Sequence, residues 1–160
     1  MTPVDASLLD IAVQLGVTIT YTDDLPDDRD GDYDKEGEVI RLRPGMHARH
    51  HRTVLAHELG HAVFQDVPSK FGPVNAKQEA RAEAWASLRL ISLDDYRIAE
   101  QVCQGHAGAM AVELGVMRST VLAFRSLLAR VGDTTYFRSG MGAGQWAHKE
   151  DAAGVRGRDA

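Results

Sequence analysis

Leu8, Leu9, Ile11, Ala12 and Leu15 recur at the spacing of one helical face, so the chain is expected to open on a helix capped at Ser7 and stopped at Gly16. Val17 to Tyr21 (VTITY) is β-branched and aromatic, and Glu38 to Leu42 (EVIRL) alternates; both predict strands of a small sheet. Between them, TDDLPDDRDGDYDKEG carries eight acids against two basic residues and reads as an exposed loop or hairpin connection. Helical periodicity returns from about Ala48 to Phe64 and is ended by Asp66-Val67-Pro68. After a loop containing Gly72 and Pro73, Ala76 to Leu93 is rich in alanine, leucine and glutamate, which predicts a second long helix. Asp94 and Asp95 are expected to begin a third that runs to about Gly105. Two shorter helices are expected around Ala107 to Leu114 and Ser119 to Ala129. From Gly132 onward the chain is glycine-rich and aperiodic, so one compact domain over residues 1–131 and a flexible tail over 132–160 are expected.

With 160 residues, 44% hydrophobic and 26% charged, the chain is long enough for one good core. A net charge of -5 gives no bulk reason for nucleic-acid or anionic-membrane binding. Cys103 is the only cysteine, so it makes no internal disulfide; it suits a reducing interior and reads as a core residue. The first residues carry acids where a signal peptide needs positive charge, and no run approaches the roughly 20 apolar residues of a membrane span. The expected setting is cytoplasmic, with no membrane partner.

Within the helix from Ala48 lies His57-Glu58-Leu59-Gly60-His61. Residues four apart lie one turn above each other, so the two imidazoles converge on a single ion. Glu58, about 100° around from His57, is too far round to join that pair but reaches a water on the metal. Two neutral nitrogen ligands and a general base are the content of an HExxH motif. An ordinary core helix would leave these polar atoms among Leu55, Ala56, Leu59, Ala62 and Val63 in need of buried partners.

A catalytic zinc needs a third protein ligand and one open position for water. Glu79 and Glu83, four apart on the next helix, share a face. In gluzincin-type peptidases a following helix supplies a glutamate ligand, and an acid one turn later receives the ring N–H of a ligating histidine. On that analogy Glu79 is the third ligand and Glu83 orients a histidine. TVLAHELGHAVFQD followed by QEARAEAWASLRLIS resembles the ImmA/IrrE family of metallopeptidases, found in phages, integrative elements and their hosts. Glu79, Ala82, Trp85 and Ala86 match the second family motif, while Glu83 stands where Asp or Asn is usual. The Gly31-Asp32-Tyr33 turn and EVIRL are also similar, and the resemblance spans roughly residues 7–130.

The resemblance implies an α+β zincin-like fold: a small twisted sheet, an active-site helix at about residues 48–65, a glutamate helix at about 76–93, and helical packing beyond. It also implies a zinc-dependent endopeptidase that cleaves a regulatory protein, typically a helix-turn-helix repressor of a phage or mobile element. Zinc would activate the water, Glu58 would carry the proton, and a further donor would steady the oxyanion. Tyr96 and His106, which follow the glutamate helix, are the candidates for that donor.

Other signals compete. Asp28, Asp30 and Gly31 fall in EF-hand register, but Pro26 at position one and Gly37 at position twelve exclude calcium binding of that kind. The acidic loop is instead expected to flank the cleft. Residues 107–130 resemble a helix-turn-helix through Ala111, Gly115 and Val121, with Arg118, Ser119, Thr120 and Arg125 able to face DNA. Their two net positive charges are few for phosphate binding, so packing or substrate docking is the stronger reading. The alternative function is a DNA-binding or protein-interaction module with a structural or inactive metal site. His47, His50 and His51 read as surface histidines, Phe64 and Trp85 as core anchors, and Met110 and Met117 as packing.

Overall fold

The computed structural model describes residues 1–131 and 134–138. Helix α1 spans Pro3–Leu15, one turn longer at its start than Ser7 predicts. Thr2 caps it by accepting from the Asp5 backbone N–H, Asp5 reaches back to the Thr2 backbone, and Pro3 sits where its missing N–H costs nothing. Gly16 ends the helix at φ 70°, a left-handed position that glycine adopts without a Cβ penalty.

Three strands follow: β1 (Thr18–Tyr21), β2 (Gly31–Asp34) and β3 (Val39–Leu42), in spatial order β1-β3-β2. β1 lies parallel to β3, and β2 antiparallel to it. β2 corrects the reading of the acidic stretch as a loop or hairpin connection and of Gly31-Asp32-Tyr33 as a turn, since β1 and β3 run parallel and β2 is a strand of its own between them in sequence. The physical reason is a period of two hidden by charge: Asp32 faces Arg41 across the sheet and forms an ion pair with it, while Gly31 and Tyr33 fall on the opposite face. Ile40 and Leu42 of the central strand are completely buried.

Helix α2 (Ala48–Val63) packs against this sheet and against α3 (Gly72–Leu90). α3 begins four residues before the expected Ala76, because Pro73 fits a first helical turn rather than breaking one. α4 (Leu93–Val102) is capped by Ser92, whose hydroxyl accepts from Asp95 N–H. α5 (Ala107–Leu114) and α6 (Arg118–Ser126) meet at 104°.

That angle lies in the helix-turn-helix range, yet the pair is bound into the domain. Arg52 Nη1 donates to Gly115 O, Arg49 Nη1 donates to Val116 O, and the Met117 N–H donates to Thr53 Oγ1, so three side chains of α2 hold the α5–α6 turn. Thr120, Val121 and Phe124 of α6 are buried. Arg125, a residue expected to face DNA, turns inward and donates to Tyr96 Oη (2.9 Å) and Gly105 O (2.8 Å). Arg118 and Ser119 stay exposed and Thr120 does not.

α6 stops at Ser126, short of the expected Ala129, because Leu128–Val131 forms strand β4, antiparallel to β5 (Thr134–Phe137). The flexible tail expected from residue 132 is corrected over 134–138: Thr135 is buried, and the Phe137 ring meets Phe124 edge-to-face at 5.5 Å. Residues 139–160 lie outside the described residues.

One apolar cluster joins Leu8, Ile40, Leu59, Trp85, Tyr96 and Phe124, so all helical layers share a core. Met110 and Trp85 take the packing places expected of them, and Cys103 packs against the core half-buried. Among the described residues, no single helix is long and apolar enough to cross a membrane.

Candidate metal centre

The site depends on how closely α2 and α3 approach. A Cβ added to Gly60 would lie 2.9 Å from Ala82 O and 3.0 Å from Ala82 Cα, so only glycine allows the two helix backbones this contact. The contact brings Glu79 over the histidine pair.

His57 Nε2 lies 2.9 Å from Glu79 Oε2, His61 Nε2 lies 3.1 Å from Glu79 Oε1, and the two Nε2 atoms are 3.1 Å apart. His61 Nδ1 is 2.8 Å from Asp66 Oδ2. An ionised carboxylate only accepts, so His61 Nδ1 carries the proton and, in the neutral ring, Nε2 presents its lone pair to the site. Two imidazole nitrogens and a carboxylate aimed at one another repel unless a proton or cation lies between them. A tetrahedral ion with ligands at about 2.0–2.1 Å has ligand–ligand edges of about 3.3 Å, close to the three separations seen here. The donors therefore fit a zinc-sized ion, and His57, His61 and Glu79 form the one group of this kind among the described residues.

The electrostatics agree with the geometry. Burial disfavours a charged His61, but hydrogen bonds to Glu79 and Asp66 outweigh it and raise the imidazole to about 9. Hydrogen bonds from His57 and His61 hold the Glu79 carboxyl well below the usual range. The site thus favours positive charge at its centre. Glu58 is 7% exposed, lines the same cleft as the two histidines and Glu79, and packs against Gly31 of β2. Burial pushes its pKa up, opposed by the neighbouring histidines. Its position depends on Gly31: a Cβ there would meet Val54 Cγ1 at 2.7 Å and Glu58 Cγ at 3.2 Å.

A cleft of ≈ 660 Å³ opens over these residues. It is lined by strand β2, by Glu79 and Glu83 of α3, and by Met117 and Ser119 at the start of α6. The acidic stretch therefore does flank the cleft, as expected, through Asp28 to Tyr33. Met117, at the N-cap position of α6, is here a cleft residue.

Of the residues singled out in the sequence, His57, Glu58, His61 and Glu79 come together. Glu83 lines the same cleft, but the histidine contact expected of it belongs to Asp66, which also accepts from Arg81 Nη2. Asp66 lies just past the end of α2, where the reversing chain turns its carboxylate back onto His61. Read in the sequence only as a helix stop, it carries one usable signal, an acid five residues after the second histidine.

Tyr96 and His106 do not reach the site. Tyr96 is 1% exposed, with its hydroxyl accepting from Arg125, and His106 caps α5 through Nδ1, which accepts from Ala109 N–H. Both were expected near the cleft because they follow α3 in sequence, but α4 and α5 carry them into the core and onto a helix end. His50, by contrast, lines the cleft, bound to Asp30 at 3.1 Å, and His51 pairs with Tyr21 at the surface.

The fold and the site together define a mixed α+β domain whose central side chains are able to hold a metal ion. Residues 12–124 match the peptidase family described as the IrrE N-terminal-like domain, and the chain belongs to that family. No curated protein and no solved structure matches the chain.

Proposed function

We propose that the protein is a zinc-dependent endopeptidase that cuts a regulatory protein, with a helix-turn-helix repressor as the substrate class. Membership of a peptidase family supports the reaction. The convergence of His57, His61 and Glu79 beside buried Glu58 supports the chemistry and is the observation that carries it. The repressor as substrate comes from the ImmA/IrrE resemblance.

His57 Nε2, His61 Nε2 and a Glu79 oxygen are the three protein ligands, and Asp66 holds the His61 ring in the ligating tautomer. Bound zinc supplies Lewis acidity, lowering the pKa of a water and polarising the scissile carbonyl. The Glu58 carboxylate takes a proton from the attacking water and delivers it to the amine nitrogen as the C–N bond breaks. Its burial keeps it basic enough for that transfer and keeps bulk water from competing. Among the described residues β2 has a neighbour on one side only, so its outer edge offers backbone groups to an extended peptide laid along the cleft.

The test is co-expression with a small helix-turn-helix repressor encoded beside the gene, followed by mass spectrometry of the fragments. The wild type should yield one or a few cuts and Glu58→Gln none, while both bind zinc. An intact repressor with zinc-loaded wild-type protein rejects the assignment of substrate. Cleavage by Glu58→Gln at the wild-type rate rejects the mechanism.

A further inference from the structure

Glu83 has lost the histidine that its spacing promised, yet it remains in the cleft. The charge accounting there is nearly closed. Asp30, Asp32 and Asp66 pair with Arg43, Arg41 and Arg81; Asp28 pairs with Arg29, and Glu79 with two histidines. Glu58 is buried as the proton carrier. Among the described residues, Glu83 alone of the cleft carboxylates is exposed and makes no hydrogen bond or ion pair. It stands one helical turn from Glu79 on the same face of α3, adjoining the reacting centre, and Ser119 of α6 lines the same cleft.

We infer that Glu83 is a specificity residue: its carboxylate receives a lysine or arginine side chain of the substrate next to the scissile bond. The inference rests on the peptidase reading above. An unpaired carboxylate keeps its full hydration until a cation replaces it, so a basic residue seated there gains an ion pair, and an acidic one meets repulsion. The paired aspartates offer no such discrimination, because their partners are already in place.

The experiment uses internally quenched peptide libraries in which Lys, Glu or Ala is fixed in turn at each position and the rest are randomised. For the zinc-loaded wild type, kcat/KM at one position beside the cut should favour Lys over Glu by about five-fold, less at high salt. Glu83→Gln should reduce that ratio to within about two-fold, Glu83→Asp should keep it, and Glu83→Lys should invert it, each with zinc content and melting temperature like the wild type. Absence of any Lys-over-Glu preference in the wild type overturns the inference, as does a preference that survives Glu83→Gln. If the wild type cuts no library faster than Glu58→Gln does, the peptidase reading itself falls, and this inference with it.

Discussion

The Asp66 carboxylate takes hydrogen bonds from both His61 and Arg81, which fixes it against the imidazole it orients. Asp66→Asn keeps the shape and removes the charge, so it should weaken zinc binding by about 10- to 100-fold, read by competition with a chelating dye. Glu83→Gln in the same assay should leave affinity within about two-fold, since its carboxylate touches neither histidine. The reverse pattern would return the orienting role to Glu83. At this scale the helical part of the candidate site was legible, because four-residue spacing is itself geometry: bringing His57 beside His61 needed no tertiary information. Glu79 needed only a following helix and an analogy. Tyr96 and His106 were misread, and the histidine contact of Asp66 was missed, because these positions depend on where the chain turns after a helix, and spacing along the chain does not record that.

α2 and α3 meet through Gly60 and Ala82, and this contact sets the reach of Glu79. In an isolated helix, Gly60→Ala would stabilise by about 1 kcal/mol. Here the added methyl meets the Ala82 backbone, which cannot yield as a flexible side chain would, and overpacking of this kind costs about 1–3 kcal/mol. The clash should win: Gly60→Ala is expected to unfold at lower denaturant and to bind zinc more weakly. Unchanged stability with unchanged zinc affinity would show that the helices can separate without moving Glu79. The helices themselves were legible from periodicity and capping. β2 was hidden because its alternation is carried by Gly31 and Tyr33 among aspartates, with Asp32 paired to Arg41 of β3 and Asp30, just before the strand, paired to Arg43. The α3 start was hidden because Pro73 marks a boundary from either side.

Across the molecule, Arg52 ties three parts together: it donates to Asp5 of α1 at 2.8 Å, to Gly115 O of the α5–α6 turn, and to Thr2. The Arg52 hydrogen bond, with smaller help from Thr2, outweighs burial and holds the Asp5 carboxyl well below its usual value. A carboxyl depressed in the folded state stabilises it above the unfolded pKa, about 3.9, and that contribution is lost as pH falls toward the folded value. Asp5→Asn should therefore cost about 1 kcal/mol at pH 7, a figure reduced for the partial exposure of the pair, and the gap to wild type should narrow below about pH 4. A gap independent of pH would show that shape, rather than charge, matters at Asp5. The same clamp explains why a helix-turn-helix pattern in the sequence is used here for packing: α6 buries Val121 and Phe124, and Arg125 is spent on Tyr96 and Gly105.

Every role proposed for the cleft requires a metal ion held between α2 and α3. The most direct measurement is zinc stoichiometry and affinity for the purified wild type, Glu79→Ala and Glu58→Gln. The wild type and Glu58→Gln should each bind one zinc with similar affinity, and Glu79→Ala should bind it far more weakly. No zinc on the wild type, or zinc bound equally well without Glu79, would contradict it.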